Sequence, residues 1–138
     1  MIEASPPPAH VPWRLVLLLG ALTAFAPMSI DMYLSSLPSI GRTLNAAPDQ
    51  TQATLAAFFA GMAIGQVFYG PASDRFGRRP PLLVGIGLFI VASIVCALAP
   101  NIETLIAARF LQALGGCAGP VVARAVVRDR FSHTDTAR

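Results

Sequence analysis

The chain has 138 residues, 54% of them hydrophobic and 12% charged, with a mean hydropathy of +0.61. A soluble domain carries roughly a quarter of its residues as Asp, Glu, Lys and Arg, so this composition excludes an ordinary soluble domain and points to a lipid bilayer. The net charge of +3 comes from ten arginines and no lysine. These sit at the ends of apolar runs rather than on a soluble basic face, which excludes nucleic acid as a partner.

Residues 1–13 are proline-rich and predict a disordered cytoplasmic tail. Arg14 before an apolar run and Ala24-Phe25-Ala26 loosely imitate a secretory signal and its cleavage site. The tail is long for that role and apolar sequence continues to Leu37, so the segment is read as retained. A first span is predicted over about 14–37, carrying Pro27 and the lone acid Asp31, with Pro38 and Gly41 ending it. A polar stretch follows, in which Asp49-x-x-Gln52 offers a cap for the next helix. The second span, about 51–72, has no charge, and a short arginine-rich turn over Asp74–Pro81 leads to a third span at about 81–98. Pro100-Asn101 turns the chain into a fourth span at about 102–127, interrupted by Arg109 and Arg124, and residues 132–138 form a polar end. Each run is close to the ~20 residues needed to cross ~30 Å of hydrocarbon. The expected fold is an all-α integral membrane protein of four transmembrane helices.

Alternating spans put the N-terminus, the Asp74–Pro81 turn and the C-terminus on one side. That side holds Arg14, Arg75, Arg78, Arg79, Arg128, Arg130 and Arg138, with Arg124 close by, against only Arg42 on the other. The positive-inside rule makes the arginine-rich side, and both termini, cytoplasmic. Gly61-x-x-x-Gly65 and Gly115-x-x-x-Gly119 have the spacing that lets helix backbones approach. Cys96 and Cys117 read as small packing residues. His10 and His133 lie in the polar tails, so no metal site, cofactor site or enzymatic constellation can be assembled.

Two charges inside the apolar runs carry the functional reading. Each costs at least ~2.5–3.5 kcal/mol at a helix centre, so such residues pair or line a cavity. Asp31 lies six residues before the end of the first span and Arg109 seven after the start of the fourth, depths of roughly 9 and 10 Å at ~1.5 Å per residue. Matched depth predicts an Asp31–Arg109 pair, with Asp31 as a protonatable acid and Gln112, one turn beyond Arg109, bonding into the same cavity. A static ion pair that only joins two helices is the plainer alternative.

The turn after the second span reads Gly70-Pro-Ala-Ser-Asp74-Arg75-Phe-Gly77-Arg78-Arg79-Pro80. It resembles the loop signature of the major facilitator superfamily, G-x-x-x-D-R-x-G-R-R/K, at the place where that family has it. Arg109-Phe-Leu-Gln112-Ala-Leu-Gly115 is similar to the family's R-x-x-Q-G-x-G, departing at Ala113. Ile30-Asp31-Met32-Tyr33-Leu34-Ser35-Ser36-Leu37-Pro38 resembles the T-D-M-Y-L-P-A-L-P stretch of the Bcr/CflA drug-resistance exporters, with Ser35 where they have proline. Gly65–Pro71 and Ala123–Asp129 are similar to the same group.

The resemblance covers nearly everything after Val11. It implies drug:proton antiport across the bacterial inner membrane, driven by the proton gradient without a cofactor, with Asp31 and Arg109 at the coupling positions. The loop also has a physical reading: Gly70 and Gly77 permit a tight turn, Asp74 can cap a helix end, and Arg78 can pair with Asp129 at the end of the fourth span. The resemblance implies that this cluster braces the two halves of the transporter. The partners implied are the lipid bilayer, protons and a small amphiphilic drug-like substrate; oligomeric state is open. The family has about twelve spans and this sequence has four, so it reads as the N-terminal part of such a carrier, unable to transport alone. A sugar or metabolite carrier, a four-helix dimeric small exporter and a non-transporting membrane fragment are the competing readings.

Overall fold

A computed structural model describes residues 12–131, leaving out the side chains of residues 25, 26, 130 and 131. Most of the expected tail over 1–13 and the whole polar end over 132–138 lie outside the described residues. Five helices follow in order: α1 (Trp13–Thr43), α2 (Pro48–Phe76), α3 (Arg79–Ala97), α4 (Ile102–Gly116) and α5 (Ala118–Phe131). Helices α4 and α5 read as one apolar element over Ile102–Asp129, giving four elements long and apolar enough to cross a membrane. Cys117 stands between α4 and α5, and the Cys117 N–H to Ala113 carbonyl (3.1 Å) and Val121 N–H to Cys117 carbonyl (3.2 Å) bonds carry the ladder across it. Pro120, in the first turn of α5, has no N–H to offer the Gly116 carbonyl.

The helices are longer than the apolar runs. Helix α1 passes through Pro38 and Gly41, where a break was expected, and ends only at Thr43. A proline removes a single hydrogen bond, which a long apolar helix tolerates; here Arg42 Nε also donates to the Pro38 carbonyl, at 3.2 Å. Gly41 serves proximity instead, since a Cβ there would lie 3.3 Å from Cγ2 of Thr51 on α2. The α1–α2 turn is completed by Asn45 at φ 48°, a residue that tolerates the left-handed region. At the start of α2 the cap is neither Asp49 nor Gln52. Gln50 Oε1 accepts the Ala47 N–H at 3.0 Å, and Pro48 occupies the first turn. Asn101 caps α4, its Oδ1 accepting from the Thr104 N–H at 2.9 Å.

Helices α2 and α3 both pack on α4, and α1 sits more loosely against them. The close packing follows from missing side chains. A Cβ on Gly61 would strike the Phe110 carbonyl, and one on Gly65 would strike Cys117 Sγ, so α2 lies backbone-close on the α4–α5 element. Gly85 of α3 and Gly115 of α4 meet similarly: a Cβ on Gly115 would lie 2.5 Å from the Gly85 carbonyl oxygen. The buried set among the described residues is small, with Phe58, Ala113 and Ala118 fully covered, while Met32, Val67 and Leu83 stay exposed. A monomeric soluble protein does not show apolar surface on this scale.

Candidate functional site

Arg109 is 3% exposed, two turns into α4. Its guanidinium carbon lies 3.8 Å from the ring centroid of Tyr33 on α1 and 4.4 Å from that of Phe58 on α2. Stacking on aromatic faces lets a cation leave water at reduced cost. Nη1 donates to Gln112 Oε1 at 2.6 Å, and Gln112 Nε2 donates to Ser93 Oγ on α3 at 2.8 Å. Nε and Nη2 are buried with no hydrogen-bond acceptor among the described residues. Tyr33 completes the junction, its hydroxyl donating to Thr54 Oγ1 at 2.6 Å; Thr54 is itself fully buried. Four helices therefore converge on Arg109.

Asp31 does not join them. It lies on the exposed face of α1 with no ion pair among the described residues, and the expected Asp31–Arg109 contact is absent. The depth match held only along the axis. Two residues at ~100° each carry the chain through about 200°, so when Tyr33 faces Arg109, Asp31 faces away. Gln112 lies where expected. Tyr33, Phe58 and Thr54 were missed by sequence reasoning, although a buried arginine without an acid in register signals aromatic partners at the same depth.

A cavity of about 590 Å³ opens beside this junction, bordered by Arg109, Gln112, Tyr33, Ser36, Ser93 and Cys96, and reaching the ends of α1 and α3 at Thr43 and Ala97. Removing the Tyr33 hydroxyl alone tests the junction. Tyr33→Phe keeps the ring over Arg109 and loses the bond to Thr54, so it is expected to lower stability by about 1 kcal/mol in a denaturant titration in micelles. An unchanged midpoint in Tyr33→Phe would remove the hydroxyl from the account, and a loss as large as that of Tyr33→Ala would remove the ring instead.

At the opposite end, α2 and α3 are joined only by Gly77 and Arg78. Gly77 takes φ 84°, a conformation that favours glycine. Arg78 Nε and Nη2 both donate to Asp129 Oδ2, at 3.2 and 2.9 Å, so the pair anticipated from the sequence is formed. Nη1 donates to Ser73 Oγ at 2.6 Å and Asp74 Oδ1 at 2.8 Å, and Arg128 Nη2 stands 3.6 Å from the same Asp74 oxygen. These bonds, to Asp129 first and Asp74 next, hold the Arg78 pKa above its ordinary value. Exposed pairs contribute about 1 kcal/mol or less each, so the network matters chiefly by fixing three helix ends. Two expectations need correction. Asp74 caps no helix, because it lies within the last turn of α2 and takes up cations instead; Gly70 makes no turn, because it lies inside α2 with open space around it. Arg75 and Arg79 are exposed and form no ion pair among the described residues. Ser73, buried under Arg78, was not anticipated.

The sequence profile of the Major Facilitator Superfamily matches residues 19–138, nearly the whole chain. The chain belongs to the Major Facilitator Superfamily. The Gly77–Arg78 joint and the Arg109–Gln112 pair both lie inside the matched span. Among curated relatives, an uncharacterised MFS-type transporter YdgK of Bacillus subtilis is 48% identical over 90% of this chain and 31% of its own length. A bicyclomycin resistance protein homologue of Haemophilus influenzae is 39% identical over 85% of the chain and 29% of its own length. The multidrug resistance protein MdtL of Escherichia coli is 42% identical over 86% and 30%. The chain thus spans about 30% of the length of these relatives. No solved structure matches the chain.

Proposed function

We propose that this superfamily member forms part of a proton-coupled exporter of small amphiphilic drug-like molecules in a bacterial inner membrane, with Asp31 as the proton-coupling acid. The observation that carries this reading is a lone carboxylate on an apolar span, two residues from the Tyr33 that covers Arg109. The resistance names borne by two relatives support the substrate class. Its arginine-rich end faces the cytoplasm, by the distribution of the ten arginines.

Coupling runs through α1. An ionised Asp31 resists contact with hydrocarbon and seeks water or a counter-charge; the protonated acid does not. A shift of α1 between those surroundings carries Tyr33 with it, loosening or tightening its hold on Arg109 and Thr54. The earlier picture of a direct Asp31–Arg109 pair gives way to this indirect link. At the other end, Arg78 with Asp74 and Asp129 acts as a brace that holds the cytoplasmic ends of three helices in one conformational state.

Substrate-dependent proton flux in inside-out vesicles from cells producing the whole carrier of which this chain forms part tests the proposal. Asp31→Asn is expected to abolish the flux and Asp31→Glu to retain part of it. Undiminished flux in Asp31→Asn would sink the assignment, and sugar-dependent flux without a drug response would favour a metabolite carrier.

A further inference from the structure

Two rings lie against the Arg109 guanidinium, with its carbon 3.8 and 4.4 Å from their centroids, but only Nη1 has a hydrogen-bond acceptor among the described residues. Aromatic faces attract the charge without accepting in-plane N–H bonds. Nη1 is used on Gln112, whereas Nε and Nη2 are buried with no acceptor among the described residues. These two nitrogens share one edge of the guanidinium, a fork spaced for the oxygens of a carboxylate. The chain uses the same edge elsewhere: Arg78 turns its Nε and Nη2 on Asp129. Among the described residues, the carboxylates that form ion pairs, Asp74 and Asp129, lie at the far end of the helices. Arg109 borders a cavity of about 590 Å³ whose wall includes Gln112, Ser93 and Ser36.

We propose that this cavity is a receptor for an anionic group, a carboxylate held on the Nε–Nη2 edge of Arg109, and that the solutes the protein carries include molecules bearing one. The edge is covered in the present conformation; the anion takes it by rotation of the Arg109 side chain toward the cavity it already borders. Gln112, fixed by Ser93, stays in place as a neighbouring donor and keeps the arginine oriented. The naming of a solute class rests on the transport reading above, whereas the anion site itself does not depend on proton coupling.

Cys96 reports on the site directly. Its thiol is half-buried on the same wall, with Sγ 3.9 Å from Gln112 Oε1. In detergent-solubilised protein carrying Cys117→Ala, Cys96 is labelled by methanethiosulfonate reagents bearing either a sulfonate or a trimethylammonium group, each rate normalised to a small free thiol. Charge-lined clefts raise the local concentration of counter-ions by 10-fold or more, so the anionic reagent is expected to be favoured about 10-fold. Arg109→Gln should remove that preference and Arg109→Lys retain it, the second variant guarding against a folding failure in the first. Benzoate should slow labelling, and benzamide, of the same shape without charge, should not.

Absence of a charge preference, its survival in Arg109→Gln, or equal protection by benzamide overturns the anion site. Protection by chloride with none by benzoate overturns the solute assignment and makes the occupant an inorganic ion. Loss of proton flux in Asp31→Asn, or its persistence, leaves each of these rates unchanged, so the two readings fail separately.

Discussion

Leucine at position 115 is expected to destabilise the helix packing by about 3 kcal/mol, the upper end of the usual cost of overpacking. A Cβ there would stand 2.5 Å from both the Gly85 carbonyl oxygen and the Phe89 amide nitrogen. Both are backbone atoms, which cannot rotate aside as a side chain can. The helices must therefore separate, and separation also undoes Gln112–Ser93, the bond that ties α4 to α3 around Arg109. Gly87→Leu is the matched control, since a Cβ at Gly87 meets nothing within 4 Å. It should not lower stability, and helix propensity favours leucine there by up to about 1 kcal/mol. A denaturant titration in mixed micelles compares the two, and equal midpoints would refute close packing of α3 on α4.

Arg109→Met is expected to raise stability by about 1–3 kcal/mol and, on the transport reading proposed above, to abolish transport by the whole carrier. Methionine has similar reach and no charge. Replacing buried charges with apolar side chains of like volume is often neutral or stabilising, because the lost interactions rarely exceed the restored solvation. Here the losses are two ring contacts and one bond to Gln112, which keeps its own bond to Ser93. The gain is relief of a buried cation with two N–H groups lacking acceptors. A destabilised Arg109→Met would show that the arginine supports the fold rather than the function. The same titration reads the stability, and vesicle flux reads the transport.

The number of spans and their order were legible in the sequence because hydrocarbon thickness imposes itself on composition. Helix ends were less so. Hydropathy marks where a helix leaves lipid, not where it stops, so α1 and α2 run past Leu37 and Ala72 to Thr43 and Phe76. The Gly61/Gly65 pair and Gly115 were visible as spacing, and the backbone contacts they permit follow from it. Gly85 lay outside any small-residue repeat named from the sequence, and only the facing helix shows why it lacks a side chain. The site was half legible. Arg109, Gln112, Arg78 and Asp129 are charged or polar residues in costly places, and cost is readable residue by residue. The azimuth of Asp31 was not, because depth along an axis says nothing about rotation around it. Tyr33, Phe58 and Ser73 are ordinary residues whose importance comes only from what they touch.

The two-residue joint at Gly77–Arg78 has a consequence for how the chain enters the membrane during synthesis. Two linking residues reach less than ~8 Å at full extension, against ~30 Å of hydrocarbon. Once α2 has crossed, α3 therefore has no slack with which to wait in water while the next segment emerges from the ribosome. The pair must partition into lipid as a hairpin, its tip held at the arginine-rich surface by guanidinium groups that cannot follow. Lengthening that link would free α3 to insert late, or with inverted direction, before α4 arrives to hold it.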